Sequence, residues 1–136
     1  NMRRLGGLAI ICSAFVGSQA AAQAEAQVEV PRGLYETEAD PRGVIYHVRT
    51  KRCGRALCGR VVRAKNRKGF DTPSNAVGNK VLWEMRPQPD GSFFGEYRDS
   101  LARRYLQSRV TIVGREIRLR ACNDQGCEDS VWLRIR

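Results

Sequence analysis

The stretch Glu116-Ile117-Arg118-Leu119-Arg120-Ala121-Cys122-Asn123-Asp124-Gln125-Gly126-Cys127, followed by Val131-Trp132-Leu133-Arg134-Ile135-Arg136, decides the fold. Ile117, Leu119 and Ala121 alternate with Glu116, Arg118 and Arg120. A period of two places the apolar set on one face of a strand and the charges on the other. One face is core and the other is wet, the pattern of an antiparallel sheet rather than a buried parallel one. Asn123-Asp124-Gln125-Gly126 is turn chemistry, and the cysteines bracket it.

Working outward, the same grammar recurs. Gly33 to Glu38 reads as a short strand, ended by the turn Asp40-Pro41-Arg42-Gly43. In Val44 to Thr50, Val44, Tyr46 and Val48 share one face while Ile45, His47 and Arg49 share the other. Leu57 to Arg63 is rich enough in β-branched residues to be a strand. Further strands are expected over Lys80–Met85, Ser92–Asp99 and Arg104–Val113, with tight turns at Pro87–Gly91 and Gly114-Arg115. No amphipathic helical run of useful length interrupts them. About eight short strands in a meander leave exposed edges unless the sheet closes. The expected fold is therefore all-β, a small antiparallel up-and-down barrel. A barrel of that size has an interior that side chains fill or that holds one small ligand.

Ala64 to Asn79 departs from the periodicity. Lys65-Asn66-Arg67-Lys68-Gly69-Phe70-Asp71-Thr72-Pro73-Ser74-Asn75 is a long basic loop, and loops of this length are usually functional or disordered. Lys65, Arg67 and Lys68 are candidates for contacting an anionic surface, with a solvated polar loop as the plain alternative.

The first residues carry the grammar of a secretory signal: Arg3 and Arg4, an apolar run from Leu5 to Val16, and a small-residue end through Ala22. The run is too short for a membrane span, which needs about 20 apolar residues, so the chain is not expected to be an integral membrane protein. Residues 1–22 read as a cleaved signal, 23–31 as a flexible leader and 32–136 as one β-barrel domain. The expected location is periplasmic or secreted. A net charge of +10, two charges of which leave with the signal, then points to anionic envelope components rather than to nucleic acid, which export makes an improbable partner.

Four of the five cysteines lie in that domain, in two pairs with four residues between partners. This gap suits tetrahedral zinc. Export favours disulfides instead, and the long interval from Cys58 to Cys122 does not fit a zinc ribbon. The expected bridges are Cys53 to Cys58 and Cys122 to Cys127, each clamping a hairpin.

Gly33-x-Tyr35, the run Cys53-Gly54-Arg55-Ala56-Leu57-Cys58-Gly59, and Cys122-x4-Cys127 followed by Trp132-x-Arg134 together resemble the exported bacterial family called domain of unknown function 2147. The likeness covers Gly33 to Arg136 and rests on the order of the three elements. It implies a small lipocalin-like (calycin-like) barrel in the bacterial envelope, with no assigned reaction. By the same likeness Tyr35, Trp132 and Arg134 close the barrel, with Arg134 laid across the Tyr35 ring, a contact worth roughly 0.5 to 2 kcal/mol.

No constellation specifies a reaction. His47 is the only histidine, and its place beside Ile45 and Arg49 reads as an outward or core-edge position. Asp124, Glu128 and Asp129 read as a solvated polar turn. Phe93, Phe94, Tyr97, Trp83 and Trp132 either line a ligand cavity or simply fill the core. No catalytic residue, metal ligand or cofactor is expected. The reading that follows is a non-catalytic module for a small apolar or amphiphilic ligand, with attachment to an anionic envelope component or a protein partner as the alternative.

Overall fold

Eight strands run in sequence order around a closed barrel: β1 (Gly33–Glu36), β2 (Ile45–Cys53), β3 (Ala56–Lys65), β4 (Lys80–Pro87), β5 (Phe93–Asp99), β6 (Arg104–Val113), β7 (Glu116–Asn123) and β8 (Gly126–Arg134). Every neighbouring pair is antiparallel, and β8 closes on β1. The architecture is that of a computed structural model describing residues 29–99 and 104–136. The segments read as a signal and as most of the leader lie outside the described residues.

β7 behaves as its alternation requires: Ile117, Leu119 and Ala121 are buried while Arg118 and Arg120 are exposed. The fully buried side chains include Tyr35, Val48, Leu57, Leu82, Met85, Phe93, Val110 and Ile117, drawn from seven of the strands. These residues fill the half of the barrel where β1 begins and where the β2–β3, β4–β5 and β6–β7 turns lie. Val30, in the stretch read as leader, also packs in this core. The Thr50 hydroxyl donates to the Pro31 carbonyl at 2.9 Å and accepts from the Gly33 amide at 3.1 Å. Packing therefore begins before Arg32.

Two irregularities shape the wall. Between Trp83↔Glu96 and Arg86↔Phe94, β4 spends Glu84 and Met85 where β5 spends only Gly95. Glu84 takes up the excess at φ 44°, a conformation uncommon outside glycine. The bulge returns Met85 to the core beside Leu82, three positions away instead of two. A side chain at Gly95 would stand 2.8 Å from Met85 Cα, so only glycine fits there. On β3 the register shifts between His47↔Arg63 and Val48↔Val61, leaving Val62 as the extra residue.

The basic loop is ordered, contrary to its featureless sequence. Asn66 Oδ1 accepts from the amides of Lys68 and Phe70 at 2.9 and 3.0 Å, making a tight turn that pairs Lys65 with Asp71. The chain then crosses the barrel end and buries Ala76 against the core. The local side-chain caps and the burial of one small residue give no periodic signal, which is why the sequence reads as loop.

Candidate functional site

The two ends of the barrel differ. At the β1-start end, β8 meets β1 through Tyr35↔Arg134 and Glu36↔Leu133. Leu34 and Arg136 extend the seam, the Leu34 amide donating to the Arg136 carbonyl at 2.9 Å. Arg134 stands directly opposite Tyr35 in this seam. Its guanidinium sits against Gly33 and donates to the carbonyls of Arg32 at 2.8 Å and Arg136 at 3.3 Å. These two carbonyl bonds hold Arg134 at the β8–β1 closure. Trp132 is buried, with its ring edge-on to Tyr97 at 6.1 Å between centroids.

At the opposite end a cavity of about 630 Å³ opens between the β1–β2 and β3–β4 connections. Val44, Tyr46, Ala76 and Val81 form its apolar part, and Arg42, Ser74, Asn75, Asn79 and Arg98 its polar rim. The floor follows from the alternation of β2, which turns Tyr46 inward, and from the loop that buries Ala76. Asp40 organises the β1–β2 turn: Oδ1 accepts from the amides of Arg42 and Val44, both at 2.9 Å, and Oδ2 from the Tyr46 hydroxyl at 3.1 Å. Partial burial works to raise the Asp40 pKa. The two amides, the Tyr46 hydroxyl and the Arg42 charge outweigh it and hold the carboxyl below its ordinary range. Below the mouth, burial foremost and then the charge of Asp99 push the Tyr97 phenol above its ordinary range, so it stays protonated.

Arg42 is engaged by Asp40 at 3.5 Å. Arg98 makes no ion pair among the described residues. The rim thus presents one cation fixed at a turn and one available to an anion, above an apolar floor.

The aromatics expected as cavity walls do not reach the mouth. Phe93 and Trp132 are core, whereas Trp83 and Phe94 face outward under Lys80 and Arg109, at 4.1 and 5.4 Å from the ring centroids. Tyr46 supplies the mouth's aromatic surface; its position on the Val44–Val48 face was the available signal. Arg98, Asn75 and Ala76 gave none, because their placement depends on the fold of the loop. His47 is not outward: it is buried, with Nε2 3.0 Å from Glu36 Oε2, its partner across β1–β2.

The basic trio is dispersed. Lys65 ends β3, Lys68 sits exposed at the turn, and Arg67 folds back so that a Cβ at Gly43, where φ is 84°, would run into its side chain.

Both cysteine pairs are bonded, Cys53 to Cys58 and Cys122 to Cys127. Cys122 and Cys127 face each other directly across the β7–β8 hairpin beside the mouth, and Cys53 and Cys58 stand diagonally across β2–β3 at the other end. Asp129 pairs with Arg120 at 3.8 Å, while Asp124 and Glu128 are exposed.

The sequence matches no protein-family model and no curated protein. Among solved structures the chain is similar to protein HP1028 from the human pathogen Helicobacter pylori, described as belonging to the lipocalin family. The TM-score is 0.60 at 12% identity, over 81% of this chain and 85% of that one. The likeness shows a lipocalin-like barrel.

Proposed function

We propose that this protein is a non-catalytic binding module that takes a small amphiphilic anion into the mouth of its barrel. The observation that carries the reading is the cavity of about 630 Å³ with an apolar floor and arginines at its rim, within the usual range of about 300 to 1,000 Å³ for small-molecule sites. The filled lower barrel makes the site a cup rather than a deep calyx. An apolar tail would rest on Tyr46, Ala76 and Val81, and a carboxylate or similar head would meet Arg98.

The two disulfides support an oxidising compartment, and with the amino-terminal signal grammar they support export to the periplasm or beyond. Among the described residues no helix is long and apolar enough to cross a membrane. The charged outer face of β7 is also the reverse of a membrane barrel, which is apolar outside. Membership of the domain of unknown function 2147 family belongs to the same proposal, supported by the order of its three motifs.

The experiment is a titration with laurate followed by amide chemical shifts, with Arg98→Ala beside it. Shifts confined to Val44, Tyr46, Ala76 and Val81, with affinity reduced about tenfold in the variant as a charge-assisted bond is lost, are expected. Laurate that shifts no mouth residue rejects the reading.

A further inference from the structure

The outer wall of β2, β3 and β4 carries an arrangement found nowhere else among the described strands. Arg49 is the Cα partner of Arg60, and Arg60 of Lys80, so three cations stand in one row across three adjacent strands. Lys51, two residues beyond Arg49, adds a fourth to the same face. Like charges placed opposite one another destabilise a sheet. Where β6 and β7 also set two arginines opposite each other, Arg109 and Arg120, each has a carboxylate, Asp90 and Asp129, both at 3.8 Å. None of the four cations of this row has an ion-pair partner among the described residues.

The row is also concave. Arg49, Lys51, Arg60 and Lys80 surround a groove of about 220 Å³ whose floor is the Cys53–Cys58 bridge, Gly59 and Val62. No carboxylate lines it. Alternation puts Val62 on the same face as Arg60, two residues before it, and the Cys53–Cys58 bridge ties the β2–β3 wall beneath them. Two of the cations have only uncharged contacts that an anion can displace: the Arg60 guanidinium donates to the Gly78 carbonyl, and the Lys80 ammonium lies 4.1 Å from the centroid of the Trp83 ring.

We propose that this groove binds a phosphoryl-bearing anion, and specifically a diphosphate or two neighbouring phosphoryl groups. Two strand spacings make the row about 10 Å wide, too broad for one small anion to satisfy all of it. Guanidinium forks donate paired N–H bonds to phosphate oxygens, and lysines add compact charge. The anion would relieve the repulsion that the bare row carries. The site lies on the outer wall and stands independently of the mouth cavity.

The test uses the full chain at low ionic strength with inorganic pyrophosphate as probe and tryptophan fluorescence as readout. Binding draws Lys80 away from Trp83, so the signal is expected in the wild type and lost in Trp83→Phe, which keeps Trp132. Arg49→Gln with Lys51→Gln is expected to weaken binding, measured by calorimetry, by about tenfold or more through lost charge-assisted bonds. Without anion, the same variant is expected to melt higher than wild type. Arg118→Gln with Arg120→Gln removes the same charge from β7 and is expected to leave binding unchanged. Vesicles of phosphatidylcholine with phosphatidic acid separate the sources. Retention on them, competed by pyrophosphate, assigns a lipid headgroup, and pyrophosphate binding without vesicle retention assigns a soluble phosphate ester. No pyrophosphate binding at low salt, or equal losses in the two double variants, overturns the proposal.

Discussion

Each end of the barrel is clamped by a disulfide across a hairpin, yet the ends are built on different principles. At the end where β1 starts, Val30, Leu57, Met85 and Phe93 are packed together, and the carbonyls of Pro31, Arg32 and Arg136 are held by Thr50 and Arg134. At the mouth, Cys122–Cys127 stands beside a cavity, and order comes from side chains bonding local backbone, Asp40 in one connection and Asn66 in the other. The difference separates two jobs. Burial of large side chains holds the fold, and cheap polar turns hold open a space that burial would have filled.

The largest effect expected from that division is at the filled end. Trp132→Ala should cost roughly 3 to 5 kcal/mol, as for truncation of a large buried aromatic, measured by urea unfolding. A loss below about 1 kcal/mol would mean that the core does not carry the stability assigned to it. Next come the bridges. Each closes a loop of only a few residues, so removing either is expected to cost about 2 kcal/mol. What should differ is location: without Cys53–Cys58 amide exchange rises throughout β2 and β3, whereas without Cys122–Cys127 it rises only in the hairpin beside the mouth. Identical exchange maps would erase the distinction between the ends.

Arg134→Ala tests the closure more finely. With its bonds to the Arg32 and Arg136 carbonyls gone, a loss of about 1 kcal/mol is expected, read as a lower Tm. Arg134→Lys should recover only part of it, since an ammonium lacks the planar fork that reaches two carbonyls. An unchanged Tm in Arg134→Ala would remove the residue from the closure.

The filled end was also the legible end. Alternation in Ile117, Leu119 and Ala121, the spacing of Cys53 and Cys58 and the turns at Gly91 and Gly114 each report a local rule, and local rules agree with the fold there. The mouth was largely illegible. The inward face of Tyr46 was readable, but nothing local says that Asn66 will cap a turn, that Ala76 will be buried or that Arg67 will lie over Gly43. Each depends on a neighbour distant in sequence. The β4 bulge was hidden for a related reason: Glu84 at positive φ breaks period two only because Gly95 on the next strand leaves room for Met85. The row Arg49, Arg60 and Lys80 needed the register of two strand pairs before it could exist as a row at all.

The smallest expected effect lies at the mouth and concerns pH. Asp40 is held below its ordinary value of 3.8 by bonds that exist only in the folded turn. A group whose folded pKa is depressed contributes stability that is present above its unfolded value and is lost as pH falls through the folded one. The contribution should therefore be complete at neutral pH and disappear on acidification below 3.8. The Asp40 side chain is only 11% exposed, but the bonds it accepts are confined to the β1–β2 connection and the start of β2, so the global Tm should hardly register their loss. The local consequence is larger, because protonation removes the acceptor on which the Val44 amide and the Tyr46 hydroxyl depend. Amide shifts of Arg42 and Val44 should titrate together in that acid window, while those of β7 at the filled end stay still. Asp40→Asn should abolish the titration and leave Val44 exchanging faster at every pH. If Arg42 and Val44 instead follow the global unfolding curve, the mouth has no independent stability, and the two ends are one cooperative unit.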